Sequence, residues 1–176
     1  MIRNELPPTP IAALPAQDSE NVQSLMRRFA EELAAAGVRI AGVTQTRVAD
    51  PDGKTRIMLR DLSCGAHYPI SQDLGRGSVA CNLDTGELAM ACAAVERAAR
   101  AGADLIVISK FAKQEASRGG LCDAFRAAMT ARIPVIAAVS PHFREEWSVF
   151  AGPLAEDVAP DREALSRWWT RVRNPN

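Results

Sequence analysis

Two uninterrupted apolar runs limit the architecture of this chain more than any other feature. Residues 105–108 read Leu-Ile-Val-Ile, and residues 134–139 read Pro-Val-Ile-Ala-Ala-Val. A strand with one wet face alternates apolar and polar residues. A short run that is apolar throughout and rich in β-branched residues has both faces covered. Parallel strands meet that condition, because their crossover connections lay helices on both faces of the sheet. The expected fold class is therefore α/β: three layers, with a mostly parallel sheet flanked by helices.

The flanking helices are legible as apolar stripes. Val22, Leu25, Met26, Phe29 and Leu33 recur at helical spacing after Asp18 and Ser19, either of which can cap the helix. Arg27/Glu31 and Arg28/Glu32 form i,i+4 pairs on the opposite face. Leu88, Ala91, Cys92, Val95 and Ala99 follow Asp84 and Glu87, a capping-box spacing. Leu121, Phe125, Ala128 and Met129 mark a third helix. Leu165, Trp168 and Val172 mark a fourth, whose remaining face carries Arg162, Arg167, Arg171 and Arg173. That face reads as basic and solvated, with Trp169 available for a partner. Further strands are expected over residues 11–14, 38–43 and 56–62. The turn Asp50-Pro51-Asp52-Gly53 makes 38–62 a β-hairpin insertion. Residues 1–10 read as a flexible tail and 11–176 as a single α/β domain. Residues 63–82 lack periodicity and read as a long loop.

Charge narrows the function. Lys plus Arg and Asp plus Glu number 21 each, so net charge is zero. This argues against nucleic acid and membrane surfaces as partners. No apolar stretch approaches the ~20 residues of a membrane span, and the proline-rich N-terminus lacks a signal-like apolar region. A cytoplasmic protein is expected. The 4 cysteines include no C-x-x-C pair. Cys64 and His67 have a ligand-like spacing but no further ligands, so no metal is expected and the thiols read as free. The same two residues are a weak candidate for a nucleophile and its base.

Gly53-Lys54-Thr55 imitates the end of a phosphate-binding loop. The required earlier glycine is replaced by Val48, acidic residues precede it, and a strand follows where a helix is needed. It reads as a hairpin turn. The proper position, between the first strand and first helix, has neither glycine nor lysine.

In open α/β sheets, ligands bind beyond the carboxyl ends of the strands. There the 105–108 run gives way to Ser109, Lys110, Lys113, Gln114 and Glu115, then Arg118, Gly119 and Gly120. The cations, the hydroxyl and the glycine-bearing turn point to an oxyanion or nucleotide-phosphate site. Two other loops are candidates to join it: Arg60 with Ser63 and Cys64, and Arg76-Gly77-Ser78. No catalytic residue is assigned. In the bland alternative, Lys110 pairs with Glu115 and the glycines only turn the chain.

Five stretches carry a family resemblance: LAAAGVRIAGVTQ (33–45), DLSCG (61–65), ISQDLG (70–75), CNLDTGELA (81–89) and LIVISKFAKQE (105–115). They resemble an uncharacterised bacterial family described as nucleoside-triphosphatase-like, whose genes often lie beside molybdate-uptake genes. The wider likeness is to the thermophilic nucleoside-triphosphatase family of the P-loop superfamily. There the strand matching 104–109 ends in an acidic pair that handles magnesium and water. Here Ser109 and Lys110 stand in those places, and Glu115 is the nearest acid. The resemblance implies a P-loop-NTPase-like plan and a non-hydrolysing protein that binds an oxyanion or nucleotide, with molybdate or tungstate as natural ligands. It also admits a homo-oligomer or a molybdenum-pathway protein as partner. The alternatives are a residual nucleoside triphosphatase and a regulatory or scaffold protein with an empty ancestral site.

Overall fold

The computed structural model describes residues 10–71 and 83–174. In chain order the elements are β1 (Ile11–Pro15), α1 (Ser19–Ala35), β2 (Ile40–Ala49), β3 (Thr55–Asp61), β4 (His67–Pro69), α2 (Thr85–Arg100) and β5 (Leu105–Phe111). Then follow α3 (Lys113–Ala116), α4 (Cys122–Thr130), β6 (Val135–Val139), α5 (Arg144–Ala151), β7 (Ala155–Asp157) and α6 (Arg162–Arg173). The seven strands lie in the order β4-β3-β2-β5-β6-β1-β7. β2, β5, β6, β1 and β7 are parallel; β3 and β4 add an antiparallel edge.

The two apolar runs are the centre of this sheet. Every residue of 105–108 and of β6 is fully buried. Alternation along the strands divides the core into two layers. Ile106, Ile108, Val135, Ala137 and Val139 pack with α2, α4 and Trp147 of α5. Leu105, Val107, Ile136 and Ala138 pack with Val22, Met26 and Phe29 of α1 and with α6. The three-layer expectation is met, and both expected caps form: Asp18 accepts the Asn21 N–H and Asp84 accepts the Glu87 N–H.

The C-terminal helix corrects two expectations. Trp169 is only 8% exposed, because α6 turns both tryptophans into the second core layer. A buried ring of that size contributes about 4–6 kcal/mol of transfer free energy before entropy is counted, so the pair serves folding. The arginine face is not free either. Arg162, Arg167 and Arg171 pair with Glu32, Glu163 and Glu156. Glu32 is thus claimed by Arg162, and Arg28 bonds the Ser24 carbonyl instead of Glu32.

β2 changes partner midway. Ile40, Ala41 and Gly42 pair with β5, whereas Val43 through Ala49 pair with β3. The break is at Gly42, with φ +117; a Cβ there would fall 1.9 Å from the Val107 carbonyl oxygen. Only glycine allows the two backbones to approach so closely. The hairpin is therefore an outgrowth of a core strand, whose first three residues belong to the parallel sheet. Its turn is closed by Asp50, which accepts the Asp52 and Lys54 N–H groups. Gly53 and Lys54 lie in that turn and Thr55 opens β3, so the tripeptide belongs to the hairpin, as expected. Within the stretch expected to be loop, His67–Pro69 pairs with β3 as β4, and Ser71 bridges to Leu83.

Candidate functional site at the carboxyl rim

The tip of β5 is held from both sides. A bulge between Ile108 and Phe111 interrupts its pairing with β6, which resumes at Phe111 and Val139. Phe111 then anchors among Trp147, Phe150 and Phe125, with centroid separations of 5.1, 5.3 and 6.2 Å. On the other face the buried Gln23 of α1 donates its amide N–H to the Ser109 carbonyl. The Gln23 Oε1 accepts the Gln45 N–H of β2 at 2.8 Å. One side chain thus ties α1 to two strands that have parted at the rim.

Beyond β5 the expected anion turn is already occupied by a carboxylate of the protein. Glu115 is 6% exposed. Its Oε2 accepts the Ala112 N–H at 3.0 Å and its Oε1 the Leu121 N–H at 2.9 Å. Gly120, at φ +57, makes room for it: a Cβ there would lie 2.2 Å from Glu115 Oε1. The Gly119 N–H donates to the Gln114 carbonyl at 2.8 Å. Burial pushes the Glu115 carboxyl above its ordinary range, opposed by the backbone bonds and, least of all, by Lys110. The alternative in which Glu115 pairs with Lys110 therefore gives way to a carboxylate bonded to backbone, which organises residues 112–121.

A polar hollow of about 250 Å³ opens beside Gln23, between α1 and the upper half of β2. Its lining includes Ser19, Glu20, Ser24, Arg27, Gln45, Thr46 and Arg47. Arg27 pairs with Glu31 and Arg47 with Glu20, both at 3.3 Å. Arg60 approaches the same Glu31 at 3.9 Å. Thr44 shares a strand face with Thr46 one pleat below; its hydroxyl is fully buried without a hydrogen-bond partner.

None of the expected residues lines this hollow: Ser109 offers only its carbonyl to Gln23, and Arg60 approaches Glu31, the partner of Arg27. Lys110 is half-buried at the β5 tip, and Lys113 is exposed at the start of α3. Neither lines the hollow, and nor does Arg118. Arg118, at φ +65, lines a second and larger cavity of about 660 Å³ between α4 and α5. Ser63 and Cys64 fall toward the other end of the sheet. β3 runs antiparallel, so its last residue Asp61 is level with Val43, and Leu62 bonds the Gly42 carbonyl. The buried Asp61 accepts from the Ser63 N–H and hydroxyl and from the Cys64 N–H, which makes the turn structural. Arg76, Gly77 and Ser78 lie outside the described residues.

Sequence reasoning missed Gln23, Ser24, Arg27, Gln45 and Arg47 as a group. One signal was present: Gln23 is a polar residue in the buried phase of α1, alongside Met26 and Ala30. The arginines carried no such mark, since each reads as half of an ordinary surface ion pair.

The fold is three-layer α/β, with a mostly parallel sheet between two layers of helices. The crystal structure of THEP1 from the hyperthermophile Aquifex aeolicus is similar, with a TM-score of 0.59 and 16% identity, over 93% of this chain and 94% of that one. The chain belongs to the DUF2478 family, described as a protein of unknown function, whose profile matches residues 11–168. It is also 37% identical over 166 residues to the "Molybdenum import ATP-binding protein ModC 2" of Bradyrhizobium diazoefficiens. That match covers 94% of this chain but 18% of the relative. Among the described residues, no helix is long and apolar enough to cross a membrane.

Proposed function

We propose that this protein is a non-hydrolysing oxyanion-binding module associated with molybdenum import, holding its anion between α1 and β2. The observation that carries this reading is the donor-lined hollow at the rim. Ser19, Ser24 and Thr46 line it together with Arg27 and Arg47; Arg27 pairs with Glu31, and Arg47 with Glu20, which is itself part of the lining. Many donors with little net charge suit a small tetrahedral oxyanion. At about 250 Å³, the hollow is smaller than the ~300–1,000 Å³ of sites for drug-sized ligands. Size therefore favours a lone oxyanion over a nucleotide. Molybdate and tungstate enter through the relative named for molybdenum import.

The surrounding chemistry opposes hydrolysis. β1 and α1 are joined by Ala16, Gln17 and Asp18 alone. Asp18 spends its carboxylate on the Asn21 N–H, where a bound phosphate would otherwise meet the helix end. The β5 tip offers Ser109 and Lys110 in place of metal-binding carboxylates, and Glu115 is committed to backbone.

Thermal-shift titration tests this, using molybdate, tungstate, sulfate, phosphate and ATP with and without magnesium. An anion at one hundred times its dissociation constant adds about 2.7 kcal/mol of stability. The expected result is a saturable shift with a free oxyanion, lost in Arg27→Ala and Arg47→Ala and kept in Lys110→Ala and Arg118→Ala. Glu20→Gln should raise the affinity for molybdate, which has no proton to share with a carboxylate. Magnesium-dependent phosphate release from ATP would instead establish a residual triphosphatase.

A further inference from the structure

We propose that the larger rim cavity binds an organic cation: a small molecule with a protonated amine or amidine on an apolar body. This site is separate from the oxyanion hollow and opposite to it in electrical character. Its volume of about 660 Å³ is within the range of small-molecule sites. Phe150, Met129 and Val149 supply an apolar wall, backed by Phe111. Val149 is 89% exposed.

The charges select the sign of the ligand. Three carboxylates, Glu115, Glu145 and Glu146, face two guanidiniums, Arg118 and Arg126. Arg126 is drawn aside by Asp123 at 2.6 Å, so its charge is largely spent outside the cavity. The lining therefore leans negative. Glu115 contributes charge to the lining rather than a contact, since it is buried and both its oxygens already accept backbone N–H groups. A cation would offset the desolvation that raises its pKa. A free oxyanion would face three like charges.

Benzamidine is the probe, with benzyl alcohol and benzoate as neutral and anionic controls of similar shape. Isothermal titration measures binding. Tryptophan fluorescence reports position, since Trp147 lies 5.1 Å from Phe111 and 6.1 Å from Phe150, centroid to centroid. The expected result is saturable benzamidine binding at least tenfold tighter than benzyl alcohol, with benzoate excluded. Glu146→Gln, an exposed change, should weaken benzamidine at least fivefold and leave any molybdate response unchanged. Equal affinity for benzyl alcohol, preference for benzoate, no saturable binding, or full retention in Glu146→Gln would each overturn the assignment.

Discussion

Gln23→Leu isolates the joint on which the rim depends. Leucine nearly preserves volume and suits the buried phase of α1, so the change removes polar contacts with little loss of packing. Two bonds disappear: the donation to the Ser109 carbonyl and the acceptance from the Gln45 N–H. Gln23 is 4% exposed, so water cannot easily replace either partner. Each orphaned buried group costs about 1–3 kcal/mol. The apolar gain of leucine returns about 1–2 kcal/mol. The net loss then centres on about 2.5 kcal/mol, or about 5–10 °C in Tm for a chain of this length. Urea unfolding monitored by tryptophan fluorescence should show a lower midpoint with an unchanged slope. A loss below about 1 kcal/mol would mean that Gln23 does not hold β2 to β5, and the rim hollow would lose its fixed wall.

Two further substitutions test neighbouring parts of the account. Gly120→Ala forces an alanine into the left-handed region, at about 1–2 kcal/mol, and drives the Glu115 carboxylate from at least one N–H, at about 1–3 kcal/mol. Urea midpoints should fall by the equivalent of about 2–5 kcal/mol; a neutral change would refute the steric fit. Asp104 accepts two bonds from the Arg39 side chain and one from its N–H, and these hold its pKa at about 2, below the ordinary 3.8. A depressed carboxyl pKa stabilises the fold above the unfolded value, and that contribution is lost as pH falls from about 4 to about 2. Arg39→Ala should therefore flatten the acid limb of a stability–pH profile with little change at pH 7, because Arg39 is largely exposed.

The layering was legible because it follows from the period of apolar residues. Runs apolar on both faces demanded covered parallel strands, and stripes of period 3.6 supplied the covering helices. The short strands β4 and β7 were not legible. Three residues give too little alternation to read, and Pro69 and the acidic pair Glu156–Asp157 resemble loop chemistry. Trp169 was misread because α6 buries a wider stripe than Leu165, Trp168 and Val172 alone define. The candidate site was scarcely legible. The strand-end rule pointed to Ser109, which does not line the hollow and meets it only through its carbonyl bond to Gln23. The lining comes from α1 and from the part of β2 that has left the parallel sheet, and no local pattern announces that meeting. Ser63 and Cys64 show the converse: a motif that stands out in sequence was carried toward the other end of the sheet by an antiparallel strand.

The most direct measurement is isothermal titration of molybdate into the wild-type chain and into the Arg27→Ala, Arg47→Ala double variant at low ionic strength. The account predicts one site per chain in the wild type and at least a tenfold weaker response in the double variant, with both proteins equally folded. Equal binding by the two proteins, or none by the wild type, would contradict it.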